Sequence, residues 1–505
     1  MRQAVRHLGR ALAIARCLAR HDALRFTGLL PLPLAARGAL WLLLSVHGRR
    51  RPDLRDGQAL AAALAELGPA FIKLGQVLSV RADLLGEVFA DDLGHLRDRL
   101  PPFGADAARA LVEDELKQPL ARLFAEFDAE PVAAASVAQV HFARTPEGAA
   151  VAVKLLRPGV EAAFARDLDL FAWGAELAER HMPELVRLRP RDVVALLRQQ
   201  VQIELDLRLE AAAAGELAEH FIDDADLVVP RIDWSRTSQR VLTLERLDGI
   251  RIEDRAALLA AGHDPAVLAP KVIQAFLRQA LQNGYFHADM HHGNVFVLPD
   301  GRLGLVDFGI MGRISLRDRR FLAEMLGAFL TGDWKRAADV HFEAGYVPAD
   351  RDRDLFAQAC RAIGEPIRDR PMAEISIGRL LAQLFQVTET FGMPTQPHLL
   401  LLQKTMVTVE GVARGLDPAV NFWDAARPVV TGWAEANLGP DAVLRDLLAG
   451  AVAGLRRLPA LLEQWEARLT QTAPVPVPEP APPRLSSALA GLLALVAALL
   501  ALNLL

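Results

Sequence analysis

The chain has 505 residues, 52% of them hydrophobic and 24% charged, with a formal net charge of −5. That length allows roughly two or three domains with a large core, and the composition is too apolar for a disordered chain. Near-neutral charge excludes a protein built chiefly to bind nucleic acid, and Cys17 and Cys360, the only cysteines, exclude a disulfide framework or a zinc site built from cysteines.

The first fifty residues interleave Arg2, Arg6, Arg10, Arg16, Arg20 and Arg25 with apolar residues at near-helical spacing. This charged stretch is too long for a secretory signal, and the apolar run Gly38–Val46 is too short to span a bilayer. Residues 1–59 therefore read as a basic amphipathic segment, suited to an anionic membrane surface or simply to a solvated helix face. Residues 60–130 are predicted to be helical. From Pro131 the pattern changes: Val137–Phe142 and Ala150–Leu155 read as strands about the turn cluster Thr145-Pro146-Glu147-Gly148. A long helical region over Glu161–His220 follows, and strand-like Leu227–Ile232 and Arg240–Leu244 close a mixed block over residues 131–248. The next block, 249–470, holds a helix at Lys271–Asn283 and a hairpin of Val295–Leu298 with Leu303–Val306 about Pro299-Asp300-Gly301. Helices then run through Ile314–Leu469. Within residues 471–484, Ala473–Pro483 reads APVPVPEPAPP, a stiff linker. It isolates Leu485–Leu505, which carries no charge. At ~1.5 Å rise per residue that helix would be about 30 Å long, so a single C-terminal transmembrane tail is expected, with the globular part on the cytoplasmic side.

Chemistry concentrates in Phe286–Gly309, FHADMHHGNVFVLPDGRLGLVDFG. Asp289, Asn294 and Asp307-Phe308-Gly309 stand in the kinase-like order H-x-D-x-x-x-x-N, hairpin, D-F-G. Asp289 would accept or orient the proton of an attacking nucleophile. Asn294 and Asp307 would offer hard oxygen ligands to Mg²⁺ bridging nucleotide phosphates, and the hairpin between them folds the second carboxylate back onto the first loop. A rival reading takes His287, Asp289, His291 and His292 as a zinc or iron cluster, which leaves Asn294 and Asp307 unexplained.

Only six lysines stand among the 57 basic residues, which ranks them as candidates for places where arginine does not serve. Lys154 ends an apolar Val-Ala-Val-Lys strand of the kind whose ammonium pairs with nucleotide phosphates and a helix acid. Candidate acids crowd into Glu204–Glu210. Asp206 and Glu210 are four apart and share a helix face, whereas Glu204 points elsewhere and could bridge Arg208; helical geometry leaves the partner of Lys154 open. Where a kinase has a glycine-rich loop, this chain has Ala133, Ala134, Ala135, Ser136 and Val137, which restrict the turn and imply an altered nucleotide geometry. Lys73, in the apolar stretch Leu67–Gln76, needs a partner, and an acidic active site would provide one. After Asp307-Phe308-Gly309 the chain is expected to run through Ile310–Arg320 straight into helices, with no A-P-E and no platform for a peptide substrate.

Together, K-x-G-Q (Lys73–Gln76), the Ala133–Ser136 loop, VAVK ending at Lys154, E-x-D (Glu204, Asp206) and HADMHHGN with D-F-G resemble the UbiB/ADCK family of atypical kinases, in its bacterial UbiB-type branch. The motifs occur in the family's order between about Leu67 and Gly312. The resemblance implies an α+β, protein-kinase-like two-lobed fold, with a helical N-terminal extension covering the place where a protein substrate would dock and a helical C-terminal lobe. It implies ATP and Mg²⁺ as cofactors and a membrane-associated kinase or ATPase supporting ubiquinone biosynthesis at the bacterial inner membrane. Partners would be the lipid membrane, hydrophobic quinone precursors and quinone-biosynthesis proteins. It also implies that Lys73 contacts the active site, that Glu210 pairs with Lys154, and that Glu204 and Asp206 form the E-x-D pair. His292 stands where the family usually has proline, and one membrane span is found where bacterial members often have two. The alternative function is a nucleotide-gated, lipid-binding scaffold in which turnover is incidental.

Overall fold

The computed structural model describes residues 2–23, 54–79, 86–94, 96, 101–181, 189–366, 386–388, 390–393 and 397–438. The run Gly38–Val46, the proline-rich linker and the expected transmembrane tail Leu485–Leu505 lie outside these residues. Among the described residues, no helix is long and apolar enough to cross a membrane.

The basic helix α1 (Arg2–Arg20) packs on α2 (Asp56–Leu67), which clusters with α3 (Pro69–Ser79) and α4 (Glu87–Gly94). Ala59, Leu60, Ala63 and Leu64 recur at helical spacing and give α2 its buried face. Part of the basic face of α1 is spent inside the fold. Arg10 donates two 2.9 Å hydrogen bonds to buried Asp167 and lies 5.5 Å over the Phe71 ring. Gly75 allows α3 its close approach, because a Cβ there would fall 2.3 Å from Leu96 Cδ1 and 2.8 Å from Leu64 Cδ1.

Helices α5 (Ala105–Leu116) and α6 (Leu120–Leu123) lead into β1 (Glu126–Phe127), β2 (Ala133–Ala134), β3 (Ala138–Arg144) and β4 (Ala150–Leu156). The sheet thus reaches back past residue 131 into the stretch expected to be wholly helical. Three helices follow, α7 (Val160–His181), α8 (Pro190–Glu204) and α9 (Leu207–His220). Then β5 (Leu227–Val228) precedes β6 (Val241–Glu245), which returns beside β4. The antiparallel order is β1-β3-β4-β6, with β2 on β3. Period-two alternation decides what each face of β4 does. Val151, Val153 and Leu155 enter a core with Leu111, Val112, Leu120 and Phe124. Leu156 joins the opposite core, built from the N-terminal helices with Phe164, Leu197 and Val201. Lys154 shares the face of Leu156, away from α5.

The single helical region expected over 161–220 is broken. Helix α8 ends at Glu204, and Asp206 caps α9 by accepting a hydrogen bond from the Arg208 N–H at 3.1 Å. An aspartate that competes for backbone donors starts a new helix more readily than it continues an old one.

The second lobe contains β7 (Ile250–Arg251), α10 (Arg255–Ala260) and α11 (Pro265–Leu277). Helix α11 runs into a π-helical turn over Arg278–Asn283. Strands β8 (Tyr285–His287), β9 (Val295–Val297), β10 (Leu303–Leu305) and β11 (Met311–Arg313) follow. The expected hairpin pairs Val297 with Leu303 and sits in a sheet of order β5-β10-β9-β7, where β5 and β10 are parallel. Strand β11 pairs with β8, setting Met311 opposite His287. A short strand therefore occupies the stretch expected to run straight into helices, and α12 (Leu316–Thr331) begins only after its cap, Ser315. Helices α13 (Trp334–Glu343), α14 (Arg353–Gly364), α15 (Pro397–Leu416) and α16 (Phe422–Leu438) complete the described chain, with α15 packed on α11 and β11.

Candidate active site

Lys154 is the centre of the site. Its Nζ donates to both carboxylate oxygens of Glu210 at 2.8 and 2.9 Å, and to Oδ1 of Asp307 at 3.0 Å. The break before α9 is what delivers Glu210, since it lets that helix lie against β6, the neighbour of the lysine strand. Burial works against the ammonium's charge, but Asp307 and Glu210 outweigh it and hold Lys154 well above the ordinary lysine range. Burial pushes the Glu210 carboxyl up; Lys154 pulls it back, and the charges of Asp307 and Glu204 add to the rise, which reaches about 7. The Lys154 ammonium holds Asp307 well below the usual carboxylate range. Asp307 also has a left-handed backbone (φ 65°), a conformation aspartate tolerates at a cost of about 1–3 kcal/mol.

The other two acids of the E-x-D run do different work. Glu204, at the end of α8, pairs with Lys73 of α3 at 2.9 Å. Asp206 binds Arg208 through two side-chain hydrogen bonds of 2.9 and 2.7 Å besides capping α9. The Glu204–Arg208 bridge expected from i,i+4 spacing is therefore replaced, because the two residues lie on different helices. Lys73 enters the same acidic neighbourhood through Glu204, whose charge is felt by Glu210.

Asp289 and Asn294 stand on the loop between β8 and β9. The Asn294 side-chain nitrogen donates to the Asp289 carbonyl at 3.1 Å, and Val306 N–H donates to the Asn294 carbonyl at 3.1 Å, tying this loop to the approach to Asp307. His287 makes the second tie. Asp289 N–H donates to its Nδ1 at 3.1 Å, so Nε2 carries the proton and donates to the Val306 carbonyl, also at 3.1 Å. Burial keeps this imidazole neutral by lowering its pKa. With both ring nitrogens committed, His287 has no lone pair for a metal. Asp289 and His291 approach to 3.7 Å, but no three of the ligand atoms of His287, Asp289, His291 and His292 gather within 4.8 Å, and the structure gives the rival zinc or iron reading no support. His292 is exposed, and its ring is 6.4 Å from that of His291.

The alanine-rich stretch forms a hairpin. Ala133 and Ala134 pair with Val140 and Gln139 in β3, and Ala135 N–H donates to the Ala138 carbonyl at 2.8 Å. Ser136 and Val137 are buried at its tip. Arg157 pins the turn, donating from Nε to the Ala135 carbonyl and from Nη1 to the Pro101 carbonyl, each at 2.8 Å.

Sequence reasoning did not single out Arg157, Gln279 or Thr405. The π turn places Gln279 so that its Oε1 accepts from His287 N–H at 2.9 Å. Thr405, fully buried on α15, donates to the Ala288 carbonyl at 3.0 Å. Both Gln279 and Thr405 stand beside other polar residues, Arg278 and Lys404, and Arg157 is one of many arginines, so the sequence singled out none of the three.

A lysine strand clamped to a helix glutamate, facing a loop and hairpin that carry carboxylates and an amide, defines a kinase-like protein of atypical kind. The ABC1 atypical kinase-like domain matches residues 95–341, and the UbiB helical domain matches residues 360–421. "Probable protein kinase UbiB" of Marinobacter nauticus is 42% identical over 439 residues, 86% of this chain and 78% of that protein. Its counterpart in Azotobacter vinelandii is 40% identical over 484 residues, 95% and 88% of the two chains. The solved Rv3197–erythromycin complex from Mycobacterium tuberculosis shares the fold, with a TM-score of 0.53 and 24% identity over 74% of this chain and 95% of that one. The chain belongs to the UbiB family.

Proposed function

We propose that the protein is a membrane-associated atypical kinase or ATPase that binds Mg-ATP and supports ubiquinone biosynthesis. The observation that carries this reading is the Lys154–Glu210–Asp307 cluster, with its bonds of 2.8–3.0 Å. The donor set fits the cofactor. With the Asn294 amide nitrogen committed to Asp289, its amide oxygen is the ligand end, and Asp307 is a half-exposed carboxylate; both are hard donors of the kind Mg²⁺ takes. When bound, Mg-ATP supplies the phosphoryl group and the charge-neutralising cation. Lys154 holds phosphate oxygens, while Glu210 fixes the direction of its ammonium. Asp289 orients an acceptor hydroxyl or water and takes its proton on a carboxylate oxygen.

Only residues 310–315 separate D-F-G from α12, which favours water or a small acceptor over a peptide. The packing of α3 on α7 and α8 supports an extension held over the first lobe through Lys73. The composition of Leu485–Leu505 and the basic N-terminal segment support membrane partners and access to hydrophobic quinone precursors; ordering by proteins of the same biosynthesis fits this placement. The restricted Ala133–Val137 hairpin favours a second reading, a nucleotide-gated lipid-binding scaffold. The test is Mg²⁺-dependent phosphate release from ATP, with and without anionic phospholipid vesicles and a phenolic quinone-precursor analogue. Membrane-stimulated release that Asp307→Asn abolishes is the expected result. Nucleotide binding without release under any of these conditions would favour the scaffold.

A further inference from the structure

We infer that Cys17, His21 and Glu66 form a binding site for a borderline transition-metal cation, zinc by the chemistry of its donors, which clips the N-terminal helix to the extension. Cys17 and His21 are four residues apart and share one face at the end of α1, and Glu66 faces them from the end of α2. The Cys17 Sγ, a ring nitrogen of His21 and a carboxylate oxygen of Glu66 all lie within 4.8 Å of one another. Tetrahedral zinc, with bonds of about 2.0–2.3 Å, needs donors about 3.5 Å apart, so side-chain rotations on the order of 1 Å close the site.

A cation held here replaces the His21–Glu66 hydrogen bond. His21 Nε2 is 2.6 Å from Glu66 Oε2, while His21 Nδ1 is buried and makes no hydrogen bond among the described residues. Arg20 holds the other oxygen, Oε1, at 2.5 Å, which leaves Oε2 to face the imidazole and the thiol. The Cys17 thiol is buried and donates weakly to the Ala63 carbonyl, 3.7 Å away. A thiol, an imidazole and one carboxylate oxygen select zinc over Mg²⁺ or Ca²⁺, which take oxygen donors. On binding, the thiol proton leaves to solvent and the sulfur becomes a thiolate ligand; water fills the fourth position. None of these residues takes part in the nucleotide site. The clip joins α1, whose Arg10 anchors on Asp167, to the helices that present Lys73.

The chain's two cysteines make the experiment clean. Full-length protein stripped with a chelator is titrated with Co²⁺, followed by Zn²⁺ displacement. The expected result is one equivalent of Co²⁺ with a near-ultraviolet thiolate-to-cobalt charge-transfer band that Zn²⁺ removes. The band should persist in Cys360→Ser and vanish in Cys17→Ser, and His21→Ala should weaken Zn²⁺ binding by more than about tenfold. Folded wild-type protein that gives no such band overturns the inference without recourse to a variant. So does a band that survives Cys17→Ser, or Zn²⁺ affinity unchanged in His21→Ala.

Discussion

Glu210 is buried with Lys154 as its ion-pair partner, so each makes the other tolerable. Removing one partner of such a pair costs about 3–5 kcal/mol, whereas replacing both with apolar side chains can restore stability. Lys154→Met should therefore lower the denaturation midpoint sharply, and Lys154→Met/Glu210→Leu should recover a large part of it while remaining inactive. Calorimetric melting of the two singles and the double decides this. Asp206 obeys different rules. As the cap of α9 it should lose about 1 kcal/mol on substitution by alanine and little on substitution by asparagine, which caps equally well. Nucleotide affinity should survive Asp206→Asn, since the Asp206 carboxylate is committed to Arg208. The spacing tied to one chemistry singled out Lys154, Asp289, Asn294 and Asp307, and the structure brings Lys154 and Asp307 to 3.0 Å. Helix spacing alone left the partner of Lys154 open between Asp206 and Glu210, because it could not show that the helix starts between them; only the resemblance pointed to Glu210.

That break is a matter of whole elements. Asp206 fixes where α9 starts, Glu210 ties it to β4, and Glu216 binds Arg313 of β11 through hydrogen bonds of 2.7 and 2.5 Å. One helix thus spans the lysine strand and the segment just after D-F-G. The partner strand β8 leads into the Asp289 loop, so the β8–β11 contact aligns both carboxylates. Gly312 is required there: a Cβ would lie 2.2 Å from the fully buried Phe286 ring. Gly312→Ala should cost about 1–3 kcal/mol through overpacking and lower turnover, because the fully buried ring must shift. Urea denaturation alongside phosphate-release assays would reveal both effects. The hairpin over 295–306 was legible from its turn residues. Strands β1 and β11 were not, since two or three residues completing a sheet carry too little periodicity to announce themselves.

Across the molecule, burial keeps His141 and His341 neutral by lowering their pKa values below the ordinary 6.5. The unfolded chain binds protons at these positions below pH 6.5 while the folded chain does not, so stability falls as pH drops through that value. Each histidine contributes at most about 1.4 kcal/mol per pH unit. His141→Gln should flatten the dependence of the melting temperature on pH between 7.5 and 5.5, where wild type declines. The extension, the first lobe and α7–α8 share one continuous core, which is why Lys73 can reach Glu204 from outside the lobe. That an acidic site would hold Lys73 was legible from its apolar surroundings, but which acid it meets was not, because an isolated lysine does not name its partner. Under the proposed function Lys154, Asn294 and Asp307 hold a magnesium nucleotide, which titration calorimetry of ATP against the full-length protein can decide. Binding should require Mg²⁺, be lost in Lys154→Met and Asp307→Asn, and persist in Asp206→Asn. ATP affinity that is the same with Mg²⁺ or chelator, or is unchanged in Asp307→Asn, would contradict it.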